Sequence, residues 1–250
     1  MQRREFNQLL NTLLKPETIN DFCPNGLQVE GIDEIRTIVT GVTASQALID
    51  AAIENNADAI LVHHGYFWKG ESQPITGMKK RRVAALLAKD INLFAYHLPL
   101  DIHPEMGNNA QLAQLLDIEI EAGLEPTNNS VAMKGRLKTP LTGSEFAKKI
   151  SQVLKREPLT SLVRTDKIET IALCTGGGQG YIDLAAEQGI DAYLTGEASE
   201  QTIHSSREQN IDFFAAGHHA TERYGIKALG EYLADKHGFD VTFIDIDNPV

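Results

Sequence analysis

The chain has 250 residues, 42% of them hydrophobic, with 20 glycines; that suffices for a large core in one or two domains. A formal net charge of -11 argues against a non-specific binder of nucleic acid or of an anionic membrane, while leaving room for a local basic pocket for a phosphorylated ligand. No stretch approaches the ~18 consecutive apolar residues of a membrane span. Met1-Gln2-Arg3-Arg4-Glu5 leads into an amphipathic pattern, not a signal-peptide block, and Cys23 and Cys174 form no CxxC pair. A cytoplasmic protein with free thiols is the expectation.

Phe6, Leu9, Leu10, Leu13 and Leu14 fall on one helical face that Pro16 closes. Pro24-Asn25-Gly26 marks a turn. Ile35 to Val42 reads as a strand, Ala44, Ala47, Leu48 and Ala51 as the face of a helix that ends at Asn55-Asn56, and Ala59 to Val62 as a second strand, which together make a βαβ unit. Two adjacent histidines and a glycine, His63-His64-Gly65, end that strand. Neighbouring strand residues point to opposite faces, so a turn at Gly65 is expected to let both rings aim at one place. Lys79-Lys80-Arg81-Arg82 opens the next helix. It reads as a solvated or intersubunit face before it reads as a phosphate contact, and cations near a helix N-terminus suggest a compensating acidic partner. Ile91 to Ala95 is a third strand, followed by His97 to Asp101, and Asn108 to Leu116 is helical.

Asp117 to Leu137 is broken by Gly123, Pro126 and Asn128-Asn129, and a domain boundary is placed near Glu121 to Asn129. Ser144 is expected to cap a helix that ends before Pro158. Strands at Thr170 to Cys174, Asp191 to Thr195, Asp212 to Ala216 and Val241 to Ile246 alternate with helices at Tyr181 to Gln188, Gln201 to Gln209 and Glu222 to Lys236. The fold class is therefore α/β. Gly176-Gly177-Gly178-Gln179-Gly180 follows a strand and opens a helix, but Tyr181 stands where a dinucleotide fingerprint needs its third glycine. A tight turn and an anion cradle both remain open for it.

Three strand ends carry ligand-type residues: His63 and His64; His97 and Asp101; and Gly217-His218-His219-Ala220-Thr221-Glu222. Five of the 8 histidines lie there. His218 and Glu222, four apart at a helix start, share one face. Imidazole with carboxylate suits zinc, iron or manganese, and a pair of such ions activates water for hydrolysis. Hydrogen-bonded packing histidines are the competing explanation. Glu197 and Glu200 read equally as acid/base groups and as helix-start residues, and His103 as an outer neighbour of the site.

On Pro24 to Gly31, Val62 to Gly65, His97 to Asp101 with Gly107-Asn108, Gly196-Glu197 and Gly217 to Glu222, the sequence resembles the GTP cyclohydrolase I type 2 homologues, also called the Ngg-interacting-factor-three-like family. The resemblance covers essentially the whole chain. The branch with His-His-Gly-Tyr-Phe-Trp-Lys-Gly is nearest, since many members have Pro where this chain has Gly65. It implies two similar, intertwined α/β lobes with mostly parallel sheets and a metal site between them. The lobes would be 1–124, joined by 217–250, and 125–216. It implies two divalent transition metal ions, with His63 and Asp101 on one, His64 and His218 on the other, and Glu222 bridging. His97 would orient a ligand or shuttle a proton. A ring-shaped homohexamer, a trimer of dimers, is implied as well. The family name implies hydrolytic ring opening of GTP, so the expected partner is a small molecule such as a nucleotide. A metal-delivery or scaffold protein without turnover is the rival. A nucleic-acid-linked partner protein is a third reading, and the acidic charge speaks against direct DNA contact.

Overall fold

The structure, a computed structural model, describes residues Met1–Val250. Two compact units divide the chain: Met1–Met106 with Gly225–Asp247, and Gly107–Tyr224 with Asn248–Val250. The chain thus leaves the first unit and returns to it. The expected boundary near Glu121 to Asn129 comes earlier, after Met106, because the residues from Ile118 to Gly123 form a strand of the second unit's sheet. No helix is long and apolar enough to cross a membrane.

The first unit carries α1 (Arg3–Leu14), β1 (Gly26–Val29), β2 (Thr37–Thr43), α2 (Gln46–Glu54), β3 (Ala59–His64), α3 (Gly77–Ala88), β4 (Asn92–Ala95), α4 (Leu98–Asp101) and β11 (Asp240–Phe243). Its sheet has the order β1-β4-β3-β2-β11, parallel throughout except for β1 against β4. Central β3 is buried through Val62 and His63, as the continuous apolar run Ala59 to Val62 demands of a strand covered on both faces. Alternation along it sends Ala59 and Leu61 to one face, with Phe6, Leu10 and Leu14 of α1. Ile60 and Val62 go to the other, with Leu48, Ile49 and Ala52 of α2 and Val83 and Leu86 of α3.

The second unit holds α5 (Asn108–Leu115), β5 (Ile118–Gly123), β6 (Met133–Leu141), α6 (Gly143–Leu154), β7 (Leu159–Ser161), β8 (Ile168–Cys174), α7 (Ile182–Glu187), β9 (Ala192–Thr195), α8 (Glu200–Gln209), β10 (Asp212–Ala215) and the start of α9 (His218–His237). Its sheet, β5-β6-β8-β9-β10-β7, is parallel only across β8, β9 and β10. The β5–β6 hairpin, the β6–β8 pair and the β10–β7 edge are antiparallel, so this sheet is mixed. Phe146, Ile150 and Leu154 of α6 cover one face and Ile182 and Ala185 of α7 the other. The cap of α6 is Thr142, not Ser144: its hydroxyl accepts from Glu145 N while Glu145 Oε2 accepts from Thr142 N at 2.8 Å. Helix α9 begins at His218, one turn before the expected Glu222.

Asp191 ties β8 to the turn ahead of β9. It accepts from Glu169 N, Thr170 N and the Thr170 hydroxyl, and pairs with Arg164 at 2.8 Å. Partial burial would raise its pKa, but the backbone amides of Thr170 and Glu169, the hydroxyl and Arg164 hold it below the usual value. A depressed folded pKa gives stability that is present above the unfolded value and lost as pH falls through the folded one. Asp191→Asn should therefore lower the melting temperature at neutral pH. The gap to wild type should close as pH drops below about 4, measured by thermal unfolding over a pH series.

Candidate metal centre

In the first unit, His63 is fully buried at the end of β3 and His64 half-buried beside it. The strand runs through both residues, yet their rings lie 4.5 Å apart between centroids. Gly65 does not serve by left-handed geometry. Its added Cβ would overlap Gln28 Oε1 and come 2.5 Å from Ala95 Cβ, so the position needs the absence of a side chain. Gln28 holds that turn, accepting from Tyr66 N at 2.7 Å and donating to the Tyr66 carbonyl at 3.0 Å. The segment read as a turn at Pro24 to Gly26 thus runs into β1 and braces the histidine pair.

Each imidazole has an outer partner. His63 Nδ1 lies 3.0 Å from the Tyr96 carbonyl, which can only accept, so the neutral ring carries its proton on Nδ1 and presents Nε2. His63 Nε2 is 3.5 Å from Oδ1 of Asp101, a buried residue at the end of α4. His64 Nδ1 sits 3.1 Å from Thr43 Oγ1. His97, between β4 and α4, donates from Nδ1 to Asp21 Oδ1 at 2.7 Å, and its ring lies 5.0 Å from that of His63. Asp21 also accepts from Phe22 N, Asn25 Nδ2 and Leu98 N. Burial would raise the Asp21 pKa, but the hydrogen bond and charge of His97 lead the groups that hold it down. Sequence reasoning missed Asp21, which stands 76 residues from its partner with no periodicity to link them.

In the second unit, His218 and Glu222 open α9. His218 is bracketed: Nδ1 meets Glu197 Oε1 at 2.6 Å and Nε2 meets Glu222 Oε2 at 3.1 Å. Burial alone would lower the His218 pKa, but Glu222 and then Glu197 outweigh it and push it up to about 9. Glu197, read from the sequence as an acid/base group or a helix-start residue, is in contact with His218. The glycine loop closes against the same pair. Gly176 has a φ of +64°, and a Cβ there would run into Glu222 Oε1 and stand 3.1 Å from His218 Nε2. Its N–H donates to Thr221 Oγ1 at 3.0 Å and its carbonyl accepts from Gly196 N at 2.9 Å. The loop is a close approach of backbone to functional side chains.

The remaining histidines, the basic run and the thiols make other contacts. His103 Nδ1 accepts from Glu105 N and Met106 N, closing a loop. His204 is inside α8, and His237 ends α9 against Tyr232. Lys79 pairs with Glu71 at 3.4 Å and lies over the Phe67 ring, which supplies the acidic partner that the basic run called for. Cys23 and Cys174 are buried and form no disulfide.

The donor set fits a transition metal: imidazoles each with a hydrogen-bond partner on Nδ1, with carboxylates alongside. His63, His64 and His97 each bring a ring nitrogen within 4.8 Å of the others. His218, held between the Glu197 and Glu222 carboxylates that raise its pKa, marks a spot that favours positive charge.

The sequence pattern of the family described as Duf34/NIF3 (NGG1p interacting factor 3) matches residues 1–249. A Haemophilus influenzae protein named GTP cyclohydrolase 1 type 2 homolog is 64% identical over 250 residues, covering 100% of both chains. A Vibrio cholerae protein of the same name is 63% identical over 252 residues, again covering 100% of both. The solved structure of protein ybgI, described as of unknown function, is 55% identical with a TM-score of 0.97 and 100% coverage of both chains.

Proposed function

The chain belongs to the Duf34/NIF3 family, and on that premise we propose that it is a metal-dependent hydrolase acting on a purine nucleotide or a damaged derivative of one. His63 and Asp101 would hold one of two divalent transition metal ions, His64 and His218 the other, with Glu222 shared by both. The observation that carries this reading is the outer partner on Nδ1 of each of these imidazoles: the Tyr96 carbonyl, Thr43 Oγ1 and Glu197. Metal-ligating histidines are characteristically held this way. Bound ions of this kind polarise an electrophile and acidify water.

The chain's own groups account for the rest. His97, fixed by Asp21, orients a ligand or carries a proton at Nε2. Half-buried Trp68, 4.9 Å from the His97 ring and 5.9 Å from His64, offers an aromatic surface to a base. A ring-shaped homohexamer built from dimers belongs to the same proposal. Exposed Phe22, Phe67, Ile75 and Met78 on the first unit support an interface there, which light scattering tests.

The test is incubation of metal-loaded protein with GTP and related nucleotides, followed by mass spectrometry. A product one water heavier supports hydrolysis. Unchanged nucleotides with metals that pass readily to an acceptor chelator would favour a delivery protein instead. Glu197→Gln should weaken metal binding by about 10- to 100-fold, since the ligand's outer partner loses its charge. The half-exposed position leaves thermal stability little changed. Competition with a chelating dye measures the first effect and thermal unfolding the second.

A further inference from the structure

The chain has one tryptophan, and Trp68 stands beside His64 and His97. We propose that Trp68 sets the choice of ligand here, and that it does so through the face of its ring alone. The site then takes purine bases without reading the groups on their edges, so a base altered at an edge binds as well as an intact one. This rests on the nucleotide reading above and defines its substrate class by ring shape.

Three observations carry it. The indole meets both imidazoles at an angle, 80° to His97 at 4.9 Å and 55° to His64 at 5.9 Å. Neither lies flat on it, and Trp68 is only half-buried, so ring face remains for a planar base. Next, the polar groups around it are engaged within the fold. Trp68 Nε1 donates to the Gly65 carbonyl at 3.1 Å, and an indole has no other polar atom. Gln28 donates to the Pro24 and Tyr66 carbonyls and accepts from Tyr66 N. Asn25 donates to Asp21 Oδ2 at 2.8 Å and accepts from His97 N at 2.7 Å. A site that read a base edge would need such amides turned toward the ligand. His97 Nε2 accepts when its ring is neutral and donates when it is charged, so it adapts to either kind of edge group.

Finally, the segment that carries the ring is fixed before any ligand arrives. Glu71 Oε2 accepts from Trp68 N at 3.2 Å and pairs with Lys79 at 3.4 Å, while Glu71 N donates back to the Trp68 carbonyl at 3.0 Å. Lys69 N donates to the Phe22 carbonyl at 2.6 Å. Phe67 has a φ of +66°, a conformation that a bulky residue keeps only where its surroundings enforce it, and Lys79 Nζ lies 4.9 Å over its ring. An aromatic ring held this way loses little freedom on stacking. Stacking is tolerant because every base has a π face, whereas a pocket built on hydrogen bonds rejects an analogue that lacks one of them.

Because Trp68 is the one tryptophan, protein fluorescence reports on this ring alone. The experiment titrates the full, Zn2+-loaded chain with guanosine, inosine, adenosine and guanosine oxidised at its imidazole carbon, with ribose phosphate as the control that has no base. Each nucleoside should quench the fluorescence with dissociation constants within about 10-fold of one another, and ribose phosphate should leave it unchanged. Trp68→Leu should weaken nucleoside binding, read by equilibrium dialysis, by about 10- to 100-fold, and Trp68→Phe by less. Zinc per chain should stay at the wild-type value in both, and circular dichroism confirms that they are folded. A preference above about 10-fold for one base, an absence of quenching, or unchanged nucleoside binding by Trp68→Leu overturns the inference. If wild type converts GTP and Trp68→Leu does so with an unchanged KM, the hydrolase reading stands and only this inference falls. If no nucleoside binds and no nucleotide is converted, both fall.

Discussion

Glu222→Gln is expected to strip the protein of bound metal while leaving it folded. Wild type purified without chelator should carry about two transition metal ions per chain, and the variant few. The substitution keeps volume and shape at a side chain that is 3% exposed, so packing around the start of α9 is preserved. What disappears is a charge and the second equivalent oxygen, the features a shared ligand needs. His64→Ala, by contrast, should mainly cost one ion. Because Glu222 is also the leading cause of the raised His218 pKa, the variant should return that ring toward its ordinary value. The metal-free variant should melt below metal-free wild type, since His218 loses one partner of its ion pair, Glu222, while staying folded. Elemental analysis on the two proteins prepared side by side decides the matter. Retention of about two ions by the variant would falsify the shared-ligand assignment and leave His218 as a ring neutralised by its carboxylates.

What the sequence reveals and what it hides divide along physical lines. The parallel core of the first unit is legible because β3 is buried on both faces and therefore continuously apolar, and because the helices between β2, β3 and β4 show clear one-sided patterns. The histidines at strand ends are legible as a cluster of one residue type. Antiparallel β5 and β6 are not, since their exposed positions carry Glu119, Glu121, Arg136 and Lys138 and the hairpin alternates only weakly. Short β1 hides behind the Pro-Asn-Gly turn that begins it. Asp21 and the Gly176 close approach are tertiary facts: Asp21 finds His97 across 76 residues, and Gly176 finds Thr221 across 45. Local composition records neither. The basic run at Lys79 shows the opposite case, where an unfavourable charge at a helix start correctly pointed to an acidic partner, Glu71.

Gly176→Ala should damage the site and the fold together, whereas Gly180→Ala, four residues on in the same glycine loop, should do almost nothing. Gly176 has a φ of +64°, which costs a non-glycine residue about 1–2 kcal/mol. Its new methyl would also meet Glu222 Oε1 and crowd His218 Nε2. Relaxation is obstructed on both sides. The backbone is pinned through Thr221 Oγ1 and Gly196 N, and Glu222 is buried with its neighbour His218 already gripped by Glu197. The strain must therefore displace the two side chains offered as metal ligands, lower the melting temperature, or both. Gly180 has ordinary backbone angles, and a Cβ there meets nothing within 4 Å; the methyl would add only a small entropic gain from a stiffer unfolded chain. Metal per chain and thermal unfolding, read on both variants, separate the two glycines. Equal behaviour would mean that the loop yields to Glu222 at little cost, and that its glycines are there for the turn alone.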